Sequence, residues 1–126
     1  MAGKTQSHSD TVLGLVAADH KVGLFSTAPT DDADVGVELA GDGYARQPIS
    51  FGSIDTNADG HTREMANDAL ITFGPAGADW LTAVAFGIFD GSSGALKYWD
   101  DLTASKTAGT GDRLQFAIGA LVVSED

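Results

Sequence analysis

The 126-residue chain contains no cysteine, which excludes disulfide frameworks, thiol nucleophiles and cysteine-ligated zinc in one step. Basic charge is scarce: seven Lys and Arg stand against 18 Asp and Glu, a formal charge of −11. That balance repels phosphate backbones and anionic headgroups, so neither nucleic acid nor a membrane is an expected partner. No apolar run approaches the roughly 20 residues that a bilayer-spanning helix needs. Met1 to Asp10 is polar and lacks the apolar stretch of a secretion signal. Gly3-Lys4-Thr5 imitates the end of a P-loop without its upstream glycine or strand, and no Gly-x-Ser-x-Gly elbow occurs. His8, His20 and His61 each lack a second histidine at metal-pairing spacing. The residues give no catalytic set.

What the chain does have is turn chemistry. Sixteen glycines, and acid carried mostly by aspartate, mark frequent reversals, while 43% hydrophobic residues suffice for a globular core. The fold class expected is all-β: an antiparallel β-sandwich, jelly-roll-like, of about seven or eight short strands. It spans residues 10–126 as a single domain behind a flexible arm at 1–9. Asp10 to Ala18 is the one stretch that suits a short helix, with Ser9 or Asp10 as its cap, although Gly14 and the valines also suit a strand.

Strands are expected at Lys21–Ser26, Tyr44–Phe51, Leu70–Phe73, Leu81–Phe89, Ala95–Trp99, Arg113–Ile118 and Ala120–Ser124. Pro48 cannot donate to a ladder, which puts its strand at an edge or a bulge. Leu81–Phe89 is apolar on both faces and reads as the central strand, joined to the next by an Asp90–Gly94 hairpin. Asp31–Asp34, Ser53–Asp68 and Asp100–Gly111 read as polar connections.

One metal candidate stands out. Asp55, Asn57 and Asp59, followed by Gly60, match the first half of a calcium loop, with oxygen ligands at alternate positions and glycine at the bend. The place of the bidentate glutamate holds Ala66, and Glu64 falls two positions early, so a calcium site would need Glu64 or Asp68 to complete it. The alternative is an Asx-turn loop at the surface. No other cofactor is indicated. Tyr98 and Trp99 beside Asp100 and Asp101 imitate a sugar platform, though Trp80 and Trp99 also suit a core or a subunit interface.

A longer pattern carries more information. Val22-Gly23-Leu24-Phe25-Ser26-Thr27-Ala28-Pro29-Thr30 is followed by Gly41-Asp42-Gly43-Tyr44-Ala45-Arg46-Gln47 and Ile49-Ser50-Phe51-Gly52. Then come Ile71-Thr72-Phe73-Gly74-Pro75-Ala76, Trp80, Ala85-Phe86-Gly87-Ile88-Phe89-Asp90, Leu102-Thr103-Ala104-Ser105-Lys106-Thr107, Gly111-Asp112-Arg113-Leu114-Gln115-Phe116 and Gly119-Ala120-Leu121. In this order, over most of residues 20–126, the chain resembles a family of small virion proteins of tailed bacteriophages, described variously as tail-fibre-like, minor tail or head-decoration proteins. At matched positions, Gly43 and Gly111 would set turn geometry, and Phe73, Phe86, Phe89 and Phe116 would fill the space between two sheets.

The resemblance implies a non-enzymatic structural protein of the virion. The form expected first is a cement or head-decoration protein on the outer capsid surface, bound to the major capsid protein and self-associated as a homotrimer or homodimer. Tyr44, Arg46, Trp80 and Trp99 are the contact residues nominated, and the arm Met1–Ser9 is a candidate clamp. A tail-fibre or baseplate component is the second reading, and a carbohydrate-binding jelly roll using Tyr98 and Trp99 is the third.

Overall fold

The computed structural model describes residues 10–11, 13–14, 19–29, 36–56 and 63–125. The expected arm at 1–9, part of the expected helix and the acidic loop at 31–34 lie outside the described residues. Asp10, Thr11, Leu13 and Gly14 have helical backbone, and Leu13 is fully buried. Arg63 fixes this segment by a two-pronged bond to Asp10, with Nε to Oδ1 at 2.7 Å and Nη2 to Oδ2 at 3.1 Å.

Ten strands follow among the described residues: β1 (His20–Thr27), β2 (Val37–Glu38), β3 (Gln47–Ile49), β4 (Asp55–Thr56), β5 (Arg63–Ala66), β6 (Ile71–Phe73), β7 (Ala83–Asp90), β8 (Leu96–Lys106), β9 (Leu114–Phe116) and β10 (Val122–Glu125). All pairings are antiparallel. A five-stranded sheet runs β2-β1-β7-β8, with β3 sharing the β1 edge beside β2; β10-β5-β4 and β6-β9 form the smaller sheets. Val22 and Leu24 of β1 and Phe86 and Ile88 of β7 face Met65, Ile71, Phe73, Leu114, Phe116 and Val123 from the smaller sheets in one core. The architecture is therefore an all-β, sandwich-like fold.

Several expectations hold in detail. β7 is the central strand, and the Asp90–Gly94 turn closes on an Asp90 N–H to Ala95 O bond of 2.9 Å. The Asp90 carboxylate accepts the Ser92 and Ser93 amides, which holds its pKa below the usual value. Pro48 sits on β3, a strand paired only with β1, so its missing donor costs the sheet nothing. Gly43 and Gly111 adopt φ of 88° and 86°.

Other expectations need correction. Asp100 to Lys106 continues β8 instead of forming a link: one flank pairs with β7, so half-exposed polar residues suffice and leave no apolar run in the sequence. Ser53–Asp68 holds β4 and β5 with Met65 buried, its strand character set by cross-strand pairing and not by alternating apolar residues. Ile118 lies past the end of β9, and its side chain is 69% exposed. Tyr44 precedes β3, and Phe51 makes only an isolated bridge to Asn67. Phe89 is buried on the opposite face of the five-stranded sheet from Phe73, Phe86 and Phe116, so three of the four expected phenylalanines share the main core.

The small sheets are joined by a polar residue. Asn67 is 1% exposed and donates Nδ2 to Ala69 O and Ala117 O at 2.9 and 3.0 Å, while its Oδ1 accepts the Leu121 amide at 2.9 Å. Because the Leu121 amide among the backbone groups it serves is buried, Asn67→Ala is expected to destabilise the fold by about 2 kcal/mol in urea denaturation. A loss below about 1 kcal/mol would show that the chain rearranges to satisfy those groups.

Candidate functional site

The edge of β1 is covered in two pieces. β3 pairs with His20, Lys21 and Val22, and β2 pairs with Phe25 and Thr27, which leaves Leu24 in the gap. There the Leu24 carbonyl accepts the Leu39 amide at 2.8 Å, and the Leu24 amide donates to the Tyr44 hydroxyl at 2.9 Å. Tyr44 in turn donates to Glu38 Oε2 at 2.7 Å. Arg46 grips the same carboxylate, with Nε 3.0 Å from Oε2 and Nη2 2.8 Å from Oε1, and lays its guanidinium carbon 3.6 Å from the Phe89 ring centroid. Phe89 stacks on Phe25 at 5.9 Å, and together with Ala85 they cover the outer face of β1 and β7.

This crossing depends on missing side chains. Gly23 and Gly87 are directly opposed across β1 and β7. A Cβ on Gly23 would lie 2.7 Å from Glu38 Oε2 and 2.8 Å from Phe89, and one on Gly87 would lie 2.7 Å from Phe25 and from Leu96. Only glycine leaves the trough in which the aromatic rings and the carboxylate lie.

On its other side Tyr44 stacks parallel to Phe73 at 6.0 Å and meets Trp80 edge-on at 5.7 Å. Trp80 is 4% exposed and donates Nε1 to Asp42 O at 3.0 Å, tying down the turn that carries Gly43. Three of the four side chains nominated as contacts, Tyr44, Arg46 and Trp80, thus form one continuous chain of internal contacts. Burial pushes the Tyr44 hydroxyl far above its ordinary value, with the Glu38 carboxylate adding to the effect and the bond from Leu24 opposing it. Hydrogen bonding to Glu38 holds the Arg46 guanidinium charged. Glu38 itself carried no signal in the sequence, because a lone acid in a two-residue strand resembles any of the other surface carboxylates.

The fourth, Trp99, lies apart. It faces Gly87 on the outer side of the sheet and is half-buried, whereas its neighbour Tyr98 packs against the main core. Alternation along β8 puts the rings on opposite faces, so Tyr98 and Trp99 do not make a shared sugar platform.

For calcium, Asp55 lies on β4 opposite Glu64 of β5, and both line an open hollow of about 260 Å³ that also includes Asp68. Asn57 and Asp59 lie outside the described residues, and the elements flanking the loop are strands, not the helices of an EF-hand. Among the described residues no group of three or more His, Cys, Asp or Glu side chains is placed to hold a metal ion. A second hollow, about 420 Å³, opens between Leu102, Ala104 and Lys106 of β8 and Phe116, Leu121 and Val122.

Tyr44 gives two measurable expectations. Tyr44→Phe leaves the buried Leu24 amide without its acceptor and is expected to cost about 2 kcal/mol at neutral pH. The folded state also disfavours ionisation of this hydroxyl, so its stabilisation is complete below the ordinary value of 10.0 and declines above it, where only the unfolded chain releases the proton. The urea midpoint should therefore fall as pH rises past 10.0 and fall less steeply in Tyr44→Phe; parallel curves would mean that Tyr44 titrates alike in both states.

With this geometry in view, comparison with known proteins gives a family match. The family model Gp80, described as podophage GP4 fiber I protein gp80, matches residues 16–124. Among curated proteins and among solved structures nothing matches the chain.

Proposed function

We propose a role that starts from kinship: this chain belongs to the podophage GP4 fiber I protein gp80 family, small structural proteins of tailed-phage virions, and it works as a rigid, non-catalytic module of a virion fibre. The observation that carries the reading is the match over residues 16–124, which takes in every described strand apart from the last residue of β10. The geometry agrees with a load-bearing part. Tyrosine, arginine and tryptophan side chains are spent on internal bonds: Tyr44 on Leu24 and Glu38, Arg46 on Glu38 and Phe89, and Trp80 on Asp42.

Head decoration is the second reading, and its partner would be the major capsid protein. A charge of −11 keeps a crowded particle surface soluble in either place, so it does not separate the two. The family description favours the fibre. Gold-labelled antibody against this chain, applied to intact virions, is expected to mark projections at the tail. Label spread over the capsid shell would overturn the fibre reading and assign the chain to the outer capsid surface.

A further inference from the structure

The hollow of about 420 Å³ between the far half of β8 and the turn into β10 differs in charge from the rest of the surface. Buried Phe116 and Leu121 form its floor, and half-buried Leu102 stands beside them. Lys106 enters from the end of β8 and holds its Nζ 5.3 Å from the Phe116 ring centroid. Arg46 and Arg63 are each tied to a carboxylate, Glu38 and Asp10, but among the described residues Lys106 makes no ion pair. No acid lines the hollow, although 18 of the 126 residues are Asp or Glu. By contrast, Asp55, Glu64 and Asp68 line the hollow beside β4 and β5, and Asp100 lines the small one beside Trp99.

We propose that this hollow docks a segment of a partner protein in which an acidic side chain stands between apolar ones. Its volume lies within the roughly 300–1,000 Å³ of built ligand sites. The Phe116 ring meets one side of the Lys106 ammonium, which keeps donors for a carboxylate laid over the apolar floor. Charge decides among the other occupants. A wholly apolar segment would cover Lys106 and leave its charge without a partner, and a basic segment would oppose it. A phosphate backbone or an anionic headgroup layer would meet a chain of net charge −11, against which one lysine counts for little. A short acidic segment is different, because salt screens charges farther than about 8 Å and no acid belongs to the lining. Elsewhere the acidic surface turns such a segment away, which gives the hollow its selectivity. The choice of a protein as partner rests on the reading of the chain as a virion module; whether that module serves the fibre or the head does not enter.

Titration of the 15N-labelled full chain with the capped tripeptide acetyl-Leu-Glu-Leu-amide, followed by NMR, tests it. The amides of Leu102, Lys106, Phe116 and Leu121 are expected to shift together and to saturate as one weak site. Acetyl-Leu-Gln-Leu-amide, which lacks only the charge, should bind about fivefold more weakly. Lys106→Gln should remove that preference, so that both peptides bind alike. Thr103→Asp, at an exposed position of the lining, leaves Lys106 in place but adds a carboxylate, and it should weaken the Glu peptide more than the Gln peptide. The spectrum away from the hollow checks that each variant folds. Absence of shifts at these four amides, or shifts centred on the acidic hollow beside β4 and β5, overturns the proposal. Equal affinity for the two peptides in the natural chain, or a preference that survives in Lys106→Gln, overturns it as well. Antibody labelling of virions reads only where the chain sits, so failure here and failure of the fibre reading are told apart.

Discussion

One hydroxyl decides whether the main sheet has a finished edge. β1 is eight residues long, but its outer flank is shared by β3 and β2, which do not meet. An unpaired, buried amide at Leu24 would cost the sheet more than a typical hydrogen bond returns, and water has no route to it. Tyr44 supplies the acceptor from a turn outside the sheet. To reach the spot it requires an absent Cβ at Gly23, and to stay there it requires an acceptor for its own proton, which is Glu38. Glu38 is half-buried and would be an unfavourable charge without Arg46, and Arg46 is held flat by Phe89. The sequence from Leu24 to Phe89 is a series of obligations, each met by the next residue.

That series explains why the two faces of the five-stranded sheet differ. The inner face meets the smaller sheets in a deep core. Among the described residues the outer face has no opposing sheet, and a thin cluster of Phe25, Ala85 and Phe89 under an ion pair seals it. A thin seal works because the two facing glycines lower the strand surface and let the rings lie into it. Arg46 adds a long, 3.5 Å contact to the Gly94 carbonyl at the hairpin tip, so the same guanidinium spans from β2 to the β7–β8 turn. The result is a body cross-braced on both faces.

How much of this the sequence discloses depends on whether a residue's role is local. The Asp90–Gly94 turn was legible because an aspartate, two serines and a glycine make their hydrogen bonds within five residues. β7 was legible because burial on both faces leaves an unbroken apolar run. Tyr44, Arg46 and Trp80 were visible as unusual side chains, but not as internal braces, because their partners at Leu24, Glu38 and Asp42 are set by tertiary folding. β4, β5 and the far half of β8 were illegible for a different reason. Residues such as Arg63, Glu64 and Lys106 pair through backbone groups, which every sequence possesses, and no periodic apolar face records the pairing. Asn67 is the extreme case: it reads as a loop residue, yet it is buried and bonded to three separate backbone groups.

The two edges of the main sheet differ in what they can accept. The β1 edge is consumed by β2, β3 and one tyrosine, so no second strand can be added there without unseating Tyr44. The β8 edge has outward backbone groups at Trp99 and Asp101, and among the described residues a neighbouring carboxylate covers the second. An edge of that kind can accept a further strand, whereas the β1 edge cannot. A formal charge of −11 opposes close contact between bare copies of the chain, so what the β8 edge offers a further strand is backbone hydrogen bonding and not net charge.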